Sequence, residues 1–108
     1  MSLSTHVLDA TTGTPAAGVA VRVESRVDGD WQPVEDGVTD ADGRIRDLGE
    51  PGAGVHRITF GTGGYFDRQG VPAFYPEVTV TFQVRDAAAH HHVPLLLSPF
   101  AYSTYRGS

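Results

Sequence analysis

The stretch His90-His91-His92-Val93-Pro94-Leu95-Leu96-Leu97-Ser98-Pro99-Phe100-Ala101-Tyr102-Ser103-Thr104-Tyr105-Arg106-Gly107-Ser108 predicts two β-strands joined by a turn at Ser98-Pro99. An extended chain alternates its side chains between two faces, so His90 and His92 share one face with Pro94 and Leu96. His91, Val93, Leu95 and Leu97 take the other. That second face is apolar throughout, apart from His91 at its edge, as a core requires. The first face carries two imidazoles in a row, which folding alone does not demand. The closing residues Tyr105-Arg106-Gly107-Ser108 are expected to be tied down rather than frayed.

Working outward, the same alternation recurs along the chain. Leu3-Ser4-Thr5-His6-Val7-Leu8-Asp9 predicts a first strand with Leu3, Thr5 and Val7 on one side and Ser4, His6 and Leu8 on the other. Val19, Val21 and Val23 face inward on a second strand. Asp28-Gly29-Asp30 is a hairpin signal, and Trp31-Gln32-Pro33-Val34 reads as a short edge strand because of its proline. Thr39-Asp40-Ala41-Asp42-Gly43-Arg44-Ile45 is an acidic turn leading into a brief strand, with Gly43 free to take a positive φ. Residues 55–60 and 76–84 alternate as strands. Between them Tyr65-Phe66-Asp67-Arg68-Gln69 predicts the one short helix. About seven or eight short strands with turns roughly every 8–12 residues is the pattern of an all-β antiparallel sandwich.

The chain has 108 residues, enough for a single domain, 1–108, with one core and little to spare. It has no cysteine, which removes disulfides, thiolate catalysis and thiolate metal ligation, and fits a reducing compartment. A net charge of −5 with few, scattered basic residues argues against nucleic-acid binding. No apolar run approaches the roughly 20 residues that a membrane-spanning helix needs. The opening MSLSTHVLDA does not read as a secretory signal, nor Arg106-Gly107-Ser108 as a peroxisomal one. A cytoplasmic protein is the expectation.

Histidine exchanges protons near neutral pH more readily than any other side chain. His56, between Val55 and Arg57, reads as a strand residue without a chemical task. His6 lies mid-strand, where a polar ring needs a partner or a wet cavity. The run of three from His90 leaves three readings open. One imidazole is a general base on water with its neighbour orienting it. Alternatively, His90 and His92 ligate one metal ion with a third group such as His6. Or an exposed strand end carries idle histidines. Arg44, aimed by its turn, and Arg106 are the cations suited to forking onto a planar anion; the bland alternative is surface ion pairing with the many aspartates.

Three segments together resemble the 5-hydroxyisourate hydrolase branch of the transthyretin-like family: 3–9 with Thr12-Gly13-Thr14-Pro15-Ala16, then 39–44, then 90–108. Tyr65-Phe66 and Phe74-Tyr75-Pro76-Glu77 match its middle. The closing Tyr-Arg-Gly-Ser is the specific part, since hormone-binding transthyretins lack it. The resemblance implies a transthyretin-like β-sandwich of two four-stranded antiparallel sheets with one short helix, assembled as a homotetramer, a dimer of dimers. It implies catalytic residues His6, Arg44, His92 and Ser108, with His90, Tyr105, Arg106 and Gly107 helping to bind substrate. Relatives commonly have an aromatic residue where this chain has His91.

The activity implied is hydrolytic opening of 5-hydroxyisourate to 2-oxo-4-hydroxy-4-carboxy-5-ureidoimidazoline, in urate breakdown, without a metal or other cofactor. His92 or His6 would take a proton from water, and Arg44 would stabilise the charge growing on the attacked carbonyl oxygen. Two other readings stand beside it. One is a transthyretin-like carrier that binds a small aromatic ligand without reacting it. The other is a metal-dependent hydrolase using His6, His90 and His92, which exhaustive chelation would test.

Overall fold

The structure, a computed structural model, describes residues 2–108. The strands are β1 (Leu3–Asp9), β2 (Thr14–Pro15), β3 (Ala20–Val27), β4 (Asp30–Val38), β5 (Arg44–Ile45), β6 (Gly54–Phe60), β7 (Val78–Val84), β8 (His91–Leu97) and β9 (Tyr102–Thr104), with one helix, α1 (Thr62–Asp67), after β6. They form two sheets. One runs β2-β1-β8-β9, with β5 also paired to β1; the other runs β4-β3-β6-β7. Side chains pointing inward from both sheets make the core, among them Leu3, Val7, Val21, Val23, Ile58, Phe60, Val93, Leu95 and Leu97. At about 25 cal/mol per Å² of apolar surface removed from water, such burial is the main force holding the sheets together.

The sandwich and its single helix are those the sequence leads one to expect, and three details go beyond it. First, β1 and β8 pair in parallel, Ser4 opposite His92 and Thr5 opposite Val93. The chain leaves β1, crosses through the second sheet and re-enters from the same end, the kind of crossover a parallel pair requires. Second, the free edge of β1 is shared in succession: β2 pairs at Leu8 and Asp9, β5 at Thr5 and His6. This makes the sheet five-stranded. Third, β4 extends from Asp30 to Val38, well past the short strand expected at Trp31-Gln32-Pro33-Val34. Its side chains are all exposed or partly exposed, so no alternation marked its length. Pro33 is tolerated because β4 is an edge strand and the register shifts beside it, at Val23/Glu24.

The β3–β4 hairpin turns at Asp28 (φ 52°) and Gly29 (φ 83°), the two positive values that match the twist of the flanking strands. Helix α1 starts three residues before Tyr65 and includes Gly63 and Gly64. It buries Tyr65 and Phe66, and the Tyr65 hydroxyl donates to Asp9 Oδ2 at 2.9 Å at the end of β1. His56 is 2% exposed and serves the fold: its Nε2–H donates to the Gly52 carbonyl at 2.7 Å, leaving Nδ1 to accept from the Ser25 hydroxyl at 2.7 Å. His91 is buried at the rim of the core and donates Nδ1–H to the Ala89 carbonyl at 3.0 Å. Both nitrogens of the His56 ring are thus taken up by the fold.

Candidate active site

The site lies on the outward face of the first sheet, where alternation places Ser4 and His6 of β1 beside His92 and Pro94 of β8. Strand register decides which of them meet. The parallel pairing puts Ser4 across from His92 and His6 across from Pro94. On the other side of β1, the antiparallel pairing puts Arg44 across from His6. Beyond β8, Gly107 bridges to His92, its N–H donating to the His92 carbonyl at 2.8 Å. Residues from the start, middle and end of the sequence thus meet on two adjacent rows of one sheet.

The turn before β5 aims Arg44. Asp40 Oδ1 accepts the backbone N–H of Asp42 at 2.9 Å and of Arg44 at 3.0 Å. The Arg44 amide is the chief reason the Asp40 carboxyl lies below the usual carboxylate range. Gly43 sits at φ 73°, its carbonyl accepting Val7 N–H at 2.7 Å, and a Cβ there would collide with the Val7 carbonyl oxygen. Only glycine brings this turn so close to β1.

A cavity of about 270 Å³ opens here, lined by Ser4, Thr5, Arg44, Ile45, Arg46, His90, His92 and Ser108. His92 is partly buried. Burial holds its imidazole below the ordinary value of 6.5, reinforced by the Arg44 guanidinium and, less strongly, by His90 and His6. It is therefore neutral at neutral pH, with a nitrogen able to accept a proton. Its Nδ1 lies 2.8 Å from Ser4 Oγ, which in turn lies 3.0 Å from His90 Nε2.

Of the residues singled out in the sequence, Arg44, His90, His92 and Ser108 share this cavity. Tyr105 and Arg106 line a neighbouring one, also about 270 Å³, on the far side of His92 with Phe82, His91 and Thr104. Gly107 packs against the His92 ring. His6 is half-buried beside Arg44, without lining either cavity. Ser4 and Arg46 had not been singled out. Each stands two residues from a chosen one, Ser4 before His6 and Arg46 after Arg44, and that spacing was the available signal. Among the described residues no group of three or more His, Cys, Asp or Glu is placed to hold a metal ion, and His6, His90 and His92 form none. The Ser4 hydroxyl stands between the last two.

A model of the HIUase/Transthyretin family matches residues 3–107. The chain belongs to this family. It is similar to the protein named 5-hydroxyisourate hydrolase of Salmonella typhimurium, 47% identical over 109 residues, covering 98% of this chain and 80% of that one. Among solved structures, sea bream transthyretin in complex with thyroxine superposes with a TM-score of 0.93 at 38% identity, covering 99% of this chain and 95% of that one. The 5-hydroxyisourate hydrolase of Klebsiella pneumoniae superposes with a TM-score of 0.86 at 37% identity over all of both chains. The HIUase/Transthyretin fold is thus shared by an enzyme and a hormone-bound protein, and the chemistry of the cavity must separate the two.

Proposed function

We propose that this chain hydrolyses 5-hydroxyisourate to 2-oxo-4-hydroxy-4-carboxy-5-ureidoimidazoline. The observation that carries the reading is the His92 imidazole sharing an open cavity with the Arg44 guanidinium, burial and that charge holding the imidazole below its ordinary value. Its relatives named 5-hydroxyisourate hydrolase, 47% and 37% identical, support the substrate.

Water attacks a ring amide carbonyl poorly until a base removes its proton, and His92 is the base in this reading. The oxygen–carbon bond forms as the proton moves to the imidazole, and the carbonyl oxygen gains negative charge. Arg44 faces that oxygen and favours the charged state over the ground state. Collapse breaks the ring C–N bond, and the leaving nitrogen takes the proton back from His92. Ser108, at the cavity wall, orients the substrate, and His6, opposite Arg44 in the strand register, helps place the guanidinium. Gly107 packs against the His92 ring from behind, with Tyr105 and Arg106 in the cavity beyond it. No step calls for a cofactor.

A homotetramer in the cytoplasm is part of this reading; the exposed aromatic side chains Phe74, Phe100 and Tyr102 support the assembly. The carrier alternative is disfavoured by the lining, since Arg44 and Arg46 make it cationic and Ser4, His90 and His92 make it polar, a poor surface for an aromatic ligand. An ultraviolet time course of freshly made 5-hydroxyisourate tests the proposal, with spontaneous decay as baseline. Decay accelerated by catalytic amounts of protein supports it. Decay at the baseline rate, with tight binding of thyroxine, would replace it with the carrier.

A further inference from the structure

We propose that the Ser4 hydroxyl is a positioning residue that relays protons between His92 inside the cavity and His90 at its exposed mouth. The proposal rests on the hydrolytic reading above and assigns how its base discharges.

A serine hydroxyl has one proton to donate and lone pairs to accept with. Ser4 Oγ lies within hydrogen-bond distance of two ring nitrogens, His92 Nδ1 at 2.8 Å and His90 Nε2 at 3.0 Å. It can donate to only one, so the other must donate to it. The three groups therefore form a chain with two arrangements. In the first, His92 Nδ1–H donates to Ser4 and Ser4 donates to His90 Nε2. His92 Nε2 is then a bare lone pair, the form a base needs. In the second, both bonds run the other way and His92 Nε2 carries a proton.

Passing from the first arrangement to the second moves protons in step. When His92 Nε2 takes a proton from water, Nδ1–H passes its proton to Ser4 Oγ, and the Ser4 proton passes to His90 Nε2. The water oxygen keeps the electron pair that becomes its bond to the carbonyl carbon. The positive charge ends on His90 and not on His92. That location is favourable because His90 is exposed to solvent, whereas His92 is partly buried and has charged or titratable groups on several sides. Arg44 and Arg46 approach it from the β5 side, His6 from β1, and Arg106 from the far side. Running the chain backwards returns a proton through His92 Nε2 to the leaving ring nitrogen, so nothing is left over. Ser4 is 7% exposed and fixed by strand register directly opposite His92, so its placement needs no side-chain search.

Four variants and one isotope measurement test this. Ser4→Ala and His90→Asn should each lower kcat on the order of 10²-fold, the lower end of what a positioned proton-transfer group supplies, with KM little changed. Ser4→Thr, which keeps the hydroxyl, should recover most of the rate. The Ser4→Ala/His90→Asn double variant should be no slower than either single one, because both break the same chain. In mixtures of light and heavy water, kcat of the parent should follow a curved, multi-proton dependence that becomes linear in Ser4→Ala. An active parent with Ser4→Ala at the same kcat, or losses that multiply in the double variant, overturns the relay and leaves the hydrolase standing. A fully active His90→Asn does the same, and this exposed site removes misfolding as an explanation. A parent with no hydrolytic activity overturns both.

Discussion

The backbone N–H of Gly107 donates to the His92 carbonyl at 2.8 Å, and the Gly107 Cα lies so close to the His92 ring that a side chain has no place there. A Cβ would overlap His92 Cδ2 and come within 3.2 Å of both His92 Cγ and Pro94 Cγ. Gly107 is not among the glycines with positive φ, so space and not backbone conformation requires it. Gly107→Ala should therefore fold normally yet push the imidazole off its position. A displacement of about 1 Å costs on the order of 10²-fold in rate, to be read in kcat alongside an unchanged circular dichroism spectrum. Parent-like turnover would mean that the ring position is not critical.

His92→Asn tests the base itself. The asparagine amide keeps a donor for Ser4 but cannot take a proton from water. Activity should fall by roughly 10²–10⁴-fold with stability preserved, as measured by initial rates and a thermal melt. Near-normal rates would remove His92 from the mechanism.

The pH profile follows from the electrostatics around the same ring. Burial and the Arg44 charge hold His92 below the ordinary imidazole value of 6.5, so the neutral form persists to lower pH than in the unfolded chain. The acid limb of kcat/KM should lie below 6.5. Arg44→Gln should lower the rate and also move that limb upward, because one of the charges opposing protonation is gone. The stability linkage has the same origin. The unfolded chain binds the proton first, so the His92 contribution is fully present above about 6.5 and is lost as pH falls through the folded-state value. A limb unmoved by Arg44→Gln would show that the titrating group is not His92.

Much of this was legible in the sequence, for a physical reason. β1 occupies Leu3–Asp9 as its alternation indicates, and His92 shares its face with Pro94 because an extended chain allows nothing else. Alternation, however, is the same in parallel and antiparallel strands. It names the residues on a face without naming their neighbours on the next strand. Ser4 was visible as a face-mate of His6, yet its role arises only from the register that sets it opposite His92. A serine also has no chemistry that singles it out alone. The length of β4 was hidden for the opposite reason: an edge strand with both faces wet has no pattern to read. The resemblance to a family supplied the catalytic set as an expectation, and the geometry adds that Arg44, His92 and Ser108 line one cavity while His6 stands beside Arg44 outside it.

Away from the cavity, the contact of α1 with β1 gives a prediction about stability. Asp9 is 2% exposed, with Oδ1 accepting the Thr11 amide and Oδ2 the Tyr65 hydroxyl, each at 2.9 Å. A carboxylate so deeply buried is tolerable only while both oxygens are satisfied. The same contact, after burial, raises the Tyr65 phenol above its usual value, since a phenolate would face a carboxylate. Tyr65→Phe keeps the ring packing and removes one donor from a buried charge, at a cost of about 1.5–3 kcal/mol. Asp9→Asn keeps the shape and removes the charge, so an amide N–H can turn toward the tyrosine oxygen and the loss should be smaller. Urea unfolding of the two variants checks the order. If Tyr65→Phe proved as stable as the parent, the bond would contribute nothing and the docking of α1 would rest on apolar packing alone. Well below the melting temperature both variants should hydrolyse substrate at the parent's kcat, because the change is confined to the end of β1 beyond His6.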